Sequence, residues 1–199
     1  MTAPSPAPSP APSTATAPSA DARRAVRNRQ VTAGLVVAVI GAGALGGAWY
    51  FQLVVGLAPC PLCLEQRIPY YIGVPVALIG ALCGGLGKEG LARVALALAG
   101  MLMALGAFLA VYHAGVEWGL WAGPETCSGA GPAVGGGNLL GQLQTARVVR
   151  CDEAPWRLLG LSLAGYNAFI AASLLVVAMW GATAKARAVE AHGSSSVSQ

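Results

Sequence analysis

Apolar residues run along this chain in four long blocks, roughly Val31–Val54, Ile68–Gly87, Val94–His113 and Leu158–Gly181. Each reaches the about 20 residues that a helix needs to cross a ~30 Å hydrocarbon core. Polar interruptions are few: Gln52 near one end of the first block, then Ser162, Tyr166, Asn167 and Ser173 in the last. Lipid offers the backbone no hydrogen-bond partner, so a spanning segment must satisfy its own N–H and C=O groups, as a helix does. The pattern therefore predicts an all-α membrane protein, a four-transmembrane-helix bundle over residues 23–184. A Pro/Ala/Ser-rich disordered tail over 1–22 and a short tail over 185–199 flank it.

Composition places the chain in the same class. It is 55% hydrophobic and 10% charged, with a mean hydropathy of +0.61, whereas a soluble domain carries about a quarter charged residues. The net charge of +4 reads as topology. Arg23, Arg24, Arg27, Arg29, Lys88, Arg93, Lys185 and Arg187 fall at one set of block ends, and Arg67, Arg147, Arg150 and Arg157 at the other. Eight against four predicts both termini in the cytoplasm by the positive-inside rule, with both cysteine-bearing segments on the outer side, which in a bacterium is the periplasm. No basic stripe is clustered as nucleic-acid binding requires. A cleaved signal peptide ending near Ala44-Leu45-Gly46 fits poorly with so long an apolar run behind a Pro-rich tail. Cleavage would in any case leave Cys60 on the outer side.

The two outer segments hold four of the five cysteines. Cys60-Pro61-Leu62-Cys63 precedes the second block, and Cys127 and Cys151 lie in the long segment between the third and fourth. In that segment Val116–Trp121 is expected to lie in the headgroup plane, Gly129–Gly137 to be either a mobile hinge or the plain filling of a surface loop, and Trp156 to mark the return into the bilayer.

A Cys-x-x-Cys pair serves redox chemistry, zinc binding or haem attachment. Haem attachment requires His after the second Cys, and Leu64 stands there. Zinc needs four ligands at suitable spacing, which the wide pair and two histidines do not offer, so no metal is expected. A purely structural disulfide is a fair reading of Cys127–Cys151 but a weaker one of Cys60–Cys63, whose short loop gains little chain entropy from closure. Strained, exposed disulfides are the labile, catalytic ones. Cys83, 20 positions after Cys63, lies about 30 Å along the same helix and reads as a packing thiol.

Pro59 and Pro61 suit a chain entering a helix. Cys63 is thus expected near a helix N-terminus, where the dipole favours its thiolate. Arg67 is four residues on, on the same face, with a thiolate, Glu65, a lipid phosphate or a polar cofactor as candidate partners; snorkelling to phosphate is the plainer reading. Pro69 and Pro75 predict a bend near the outer end of this helix. Oxidising thiols requires an acceptor. The chain holds no dinucleotide fingerprint or haem motif, so a lipid-dissolved quinone remains, with Arg67 donating to a quinone oxygen.

Three stretches carry a resemblance. The run Cys60-Pro-Leu-Cys63-Leu-Glu-Gln66-Arg67-Ile-Pro69-Tyr70, the segment Tyr112-His113-Ala-Gly-Val-Glu117-Trp118, and Cys151-Asp-Glu-Ala-Pro155-Trp156 with Ala164-Gly-Tyr-Asn167 resemble the disulfide bond formation protein B (DsbB) family over about Val31–Gly181. The resemblance implies a quinone-dependent enzyme, using ubiquinone or menaquinone, that reoxidises a periplasmic DsbA-like thioredoxin-fold thiol oxidase. It implies that Cys127 is attacked by the partner's thiolate and that Cys151 resolves the mixed disulfide and exchanges with Cys60. Cys63 would then be the thiolate that meets the quinone, with Arg67 stabilising charge. Gln66 has no assigned role, and His113 near the quinone is balanced by a packed or interfacial histidine. Two rivals stand beside this: a vitamin K epoxide reductase-like thiol–quinone enzyme, whose Cys-x-x-Cys lies on the last span, and a membrane scaffold with structural disulfides.

Overall fold

The computed structural model describes residues 17–124, 127 and 150–185. The expected hinge at Gly129–Gly137, most of the 1–22 tail, Arg147, and the chain beyond Lys185 lie outside the described residues. Helix α1 spans Ala20–Leu53, α2 Pro61–Glu65, α3 Ile68–Gly85, α4 Glu89–Glu117 and α5 Leu163–Ala182, with β1 Arg157–Leu158 and β2 Leu161–Ser162 before α5. Four stretches are long and apolar enough to cross a membrane: Ala20–Leu53, Pro61–Gly85, Glu89–Glu117 and Leu163–Ala182. The expected four-helix membrane bundle is the architecture found.

One end of the bundle is tied by basic side chains. Arg27 Nη2 donates to the Gly85 carbonyl at 2.8 Å and Arg93 Nη2 to the Ala184 carbonyl at 2.9 Å. Arg29 Nη2 reaches Thr183 Oγ1 at 3.0 Å, and Gln30 Nε2 reaches the Glu89 carbonyl at 3.0 Å. Carbonyls at a helix C-terminus lack intrahelical donors and sit at the negative end of the dipole, so cations settle there. These contacts bring the start of α1, the end of α3, the start of α4 and the end of α5 to one end of an up-down-up-down bundle.

Packing is inverted relative to a soluble core. Ala33, Ala77, Ala99, Ala171 and Ala178 are fully buried, while Val39, Leu82, Met101, Phe108 and Val176 are more than two-thirds exposed. Lipid tails are as apolar as leucine, so large side chains gain little by hiding, and small residues let helices approach. A Cβ on Gly34 would stand 2.6 Å from the Ala77 carbonyl oxygen, and one on Gly181 would stand 2.4 Å from the Ala33 Cβ.

The structure refines three local stretches. The irregularity of the second span falls at Gln66–Arg67: α2 is one turn, and helix resumes at Ile68 with Pro69 in the first turn of α3, where its missing N–H costs nothing. Pro75 sits within α3. The stretch Val116–Trp121 is divided between the end of α4 and the turns that follow it. Val116 and Glu117 finish α4 as buried residues, and Trp121 folds back to stack on Tyr112 at 6.0 Å between centroids. Gly115 makes room for it, since a Cβ there would meet the Trp121 ring at 2.0 Å. The last span starts at Leu163 rather than Leu158. Arg157 to Ser162 form a hairpin turning through Leu159 (φ 50°) and Gly160 (φ 82°), and Ser162 then caps α5 by accepting from Gly165 N at 3.1 Å. An apolar count does not separate a leucine-rich hairpin from a helix; the Gly turn and the Ser cap do.

Candidate functional site

The end opposite the arginine ties gathers four of the five cysteines. Pro61 opens α2, and Cys60 is its N-cap, with its Sγ accepting from Cys63 N at 3.2 Å. That cap turns both sulfurs to one side, 2.7 Å apart. With α2 only one turn long, the cap sulfur rather than a long helix dipole is the feature at Cys63. Cys127 and Cys151 form a disulfide with Cα atoms 5.1 Å apart across 24 positions. Cys60, Leu62, Val116, Cys127 and Cys151 make one buried cluster, with Cys63 and Tyr112 packed against it. The two cysteine pairs therefore share one end of the bundle. Cys60 Sγ, a His113 ring nitrogen and Cys151 Sγ all lie within 4.8 Å of one another. As a metal site this trio is short of a ligand, because the Cys151 sulfur is committed to its disulfide.

Burial and bonding set the Cys60 thiol well above the usual thiol range, first through its hydrogen bond with Cys63 and then through desolvation. A polar chain runs away from it. Tyr70 Oη donates to Asn167 Oδ1 at 2.7 Å, Asn167 Nδ2 donates to Gln66 Oε1 at 2.7 Å, and Gln66 Nε2 lies 2.7 Å from His113 Nδ1. With Gln66 donating, His113 carries its proton on Nε2, which faces Cys60 Sγ at 3.6 Å. Glu117 Oε1 is 3.8 Å from the same nitrogen.

Beside the dithiol a cavity of about 550 Å³ opens between α1, α3 and α5, walled by apolar residues such as Ile40, Leu45 and Ile170. Its polar lining includes Cys63, Gln66, Arg67, His113, Glu117 and Asn167. Arg67 is buried there. Within the protein, Nη1 donates to Gln52 Oε1 at 2.6 Å, Nη2 reaches the Ala48 carbonyl at 3.4 Å, and the guanidinium lies 5.5 Å from the Trp49 ring centroid. The end of α1 thus holds the arginine in the cavity wall. Cys83 is buried in the last turn of α3. Trp156 packs on Phe51 at 5.3 Å between centroids.

Gln66, Asn167, Tyr70 and Glu117 escaped the sequence reading as members of the site, and His113 stayed between two readings. The signals were present: His113 and Glu117 are four apart on one helix, hence on one face, and Asn167 is a polar side chain inside an apolar span, which calls for a partner.

These features define a multi-pass membrane protein of thiol–disulfide chemistry, an oxidoreductase class. The model of the family described as "Disulfide bond formation protein DsbB" matches residues 29–181, and the chain belongs to that family. The Disulfide bond formation protein B of Albidiferax ferrireducens is 33% identical over 75% of this chain and 83% of its own length. That of Marinobacter nauticus is 32% identical over 73% and 87%. An uncharacterized protein of Rickettsia prowazekii is 24% identical over 75% and 86%. No solved structure matches significantly. The protein is a membrane disulfide-forming oxidoreductase, and the family assignment sets aside the vitamin K epoxide reductase-like rival.

Proposed function

We propose that this protein reoxidises a periplasmic DsbA-like thiol oxidase and passes the electrons to a membrane quinone. The observation that carries the reading is the placement of Cys60 Sγ within 4.8 Å of Cys151 Sγ, next to a cavity that Cys63 lines. The partner's thiolate attacks Cys127 and opens the Cys127–Cys151 disulfide. Cys151 then attacks Cys60, linking the outer segments and releasing Cys63 as the thiolate at the cavity. The raised Cys60 thiol suits this order, because the sulfur that more readily carries charge is the better leaving group.

A quinone supplies a lipid-soluble acceptor of two electrons and two protons. The chain's residues fit one: the cavity volume lies in the range of small-molecule sites, its wall is apolar, and Arg67 and the unpartnered Glu117 Oε2 offer polar groups from different helices. Arg67 would orient a carbonyl oxygen and Cys63 would face the ring. The energetics favour such an acceptor. A DsbA-type oxidant poised near about −120 mV would be driven backwards by a glutathione pool near −200 mV, by about 4 kcal/mol for two electrons.

In the cell, we place the cysteine end in the periplasm and both termini in the cytoplasm of a bacterial inner membrane, on the eight-to-four division of basic residues. The bundle over 23–184 is the functional domain, with both tails outside it. The test is anaerobic mixing of the purified protein, a reduced DsbA-like partner and ubiquinone or menaquinone. Cys63→Ala is expected to abolish quinone reduction. Cys127→Ala is expected to spare reaction of the Cys60–Cys63 pair and block turnover with the partner. Parental turnover in both variants would end the reading.

A further inference from the structure

We infer that Glu117 is a proton donor of the cavity, giving its Oε2 proton to the reduced acceptor; this rests on the reading that the cavity takes a quinone. Glu117 closes α4, its side chain is 3% exposed, and it lines the cavity together with Cys63 and Arg67. Oε2 has no hydrogen-bond partner among the described residues. Among the described residues its single ion-pair contact is His113, at 3.8 Å from Oε1. The other groups facing it are Ser162 and Arg157 of the hairpin and Cys63 of α2. Ser162 is a hydrogen-bond partner of the carboxyl, but an ionised Oε2 buried without a partner of its own costs far more than a neutral one. A neutral carboxyl also has what this wall otherwise lacks, an O–H free to donate into the cavity.

The balance of the reaction calls for such a group. Two partner thiols become a disulfide, losing two electrons and two protons, and those protons leave at the aqueous side during thiol exchange. The electrons reach the cavity as the Cys60–Cys63 bond closes, and the only proton released there is the one held by the Cys60 thiol, whose pKa is raised. Converting a quinone to a hydroquinone consumes two electrons and two protons, so one proton must come from another group. Glu117 gives it from Oε2 and becomes a carboxylate, which the His113 Nε2–H beside Oε1 can then stabilise. Water at the aqueous rim restores Glu117 past the exposed Arg157.

The test uses the full chain in lipid, with Glu117→Gln and Glu117→Asp. In quinone-depleted protein at neutral pH, the infrared spectrum should hold a protonated-carboxyl stretch that shifts in D2O, and Glu117→Gln should remove it. With a short-chain benzoquinone, single-turnover reduction by the pre-reduced protein should fall about 10²-fold in Glu117→Gln. Glu117→Asp should recover part of that loss, and the solvent isotope effect of the parental step should change. Exchange between the two cysteine pairs should keep its parental rate in Glu117→Gln. Absence of any protonated-carboxyl band in the parental protein overturns the inference whether or not the variants fold. So does parental quinone reduction by Glu117→Gln. If Cys63→Ala is inactive while Glu117→Gln is parental, the inference falls and the quinone reading stands; turnover in Cys63→Ala removes the reading itself.

Discussion

Gln66 and His113, 47 positions apart in the chain, meet at 2.7 Å between Nε2 and Nδ1. The contact crosses from the break before α3 to the last turns of α4, and it decides which face of the imidazole carries the proton. Asn167 makes that assignment firm, because its Nδ2 occupies the Gln66 oxygen at 2.7 Å and leaves only the amide nitrogen for His113. The result is an Nε2–H aimed at Cys60 Sγ, 3.6 Å away, able to hold negative charge on that sulfur.

Gln66→Leu should therefore weaken both the fold and the chemistry. It strands buried polar atoms on His113 and Asn167, which costs about 1–3 kcal/mol. Closure of the Cys60–Cys63 bond should slow about tenfold, the factor carried by roughly 1.4 kcal/mol, one ordinary hydrogen bond. Thermal unfolding and stopped-flow quinone reduction measure the two effects. A variant with parental stability and rate would show that the contact is idle.

Cys60 and Cys63 should differ sharply in alkylation. A thiol whose pKa is raised stays protonated as pH climbs, so its thiolate fraction at neutral pH is smaller than that of an ordinary cysteine. Brief iodoacetamide treatment of reduced protein at pH 7 should leave Cys60 unmodified. Because the first cause of its shift is the hydrogen bond with Cys63, Cys63→Ala should bring Cys60 reactivity back toward that of an ordinary thiol. Peptide mass spectrometry reads both; rapid labelling of Cys60 in the parental chain would contradict the site geometry.

Cys151→Ala should trap the partner. Without Cys151 the Cys127 sulfur is a free thiol; its thiolate attacks the disulfide of the oxidised DsbA-like protein, and the resulting mixed disulfide should accumulate as a non-reducing gel band that dithiothreitol removes. A band that persists after adding Cys127→Ala would place the attack elsewhere.

Helix contact should be sensitive at Gly34 and insensitive at Gly46. A Cβ at Gly34 meets the Ala77 backbone oxygen at 2.6 Å, whereas one at Gly46 meets nothing within 4 Å. Gly34→Val is expected to cost about 1–3 kcal/mol by overpacking, read as a fall in detergent-solubilised unfolding temperature. Gly46→Val should leave that temperature near its parental value, and equal effects at the two positions would refute the packing account.

Hydrophobic length was enough to find all four spans, because crossing lipid imposes a requirement on each segment separately. The cysteine spacing and the run through Arg67 were enough to find the chemistry, since Cys-x-x-Cys geometry is local. Boundaries fared less well where local cues competed. Leu158 and Leu161 count as apolar whether they lie in a hairpin or a helix. Arg67 also bonds to Gln52 and the Ala48 carbonyl, on a helix whose approach no spacing rule reports.

The sequence by itself determined that this is a four-span membrane protein with two cysteine pairs placed outside its apolar blocks, because hydropathy and short-range spacing act within a segment. Only the tertiary structure decided that Cys60 stands beside Cys151, that Gln66 and Asn167 orient His113, and that Glu117 faces the cavity with a free oxygen. Those facts depend on how helices distant in sequence pack, and that packing is settled by small residues such as Gly34 and Gly181 allowing close approach at particular points.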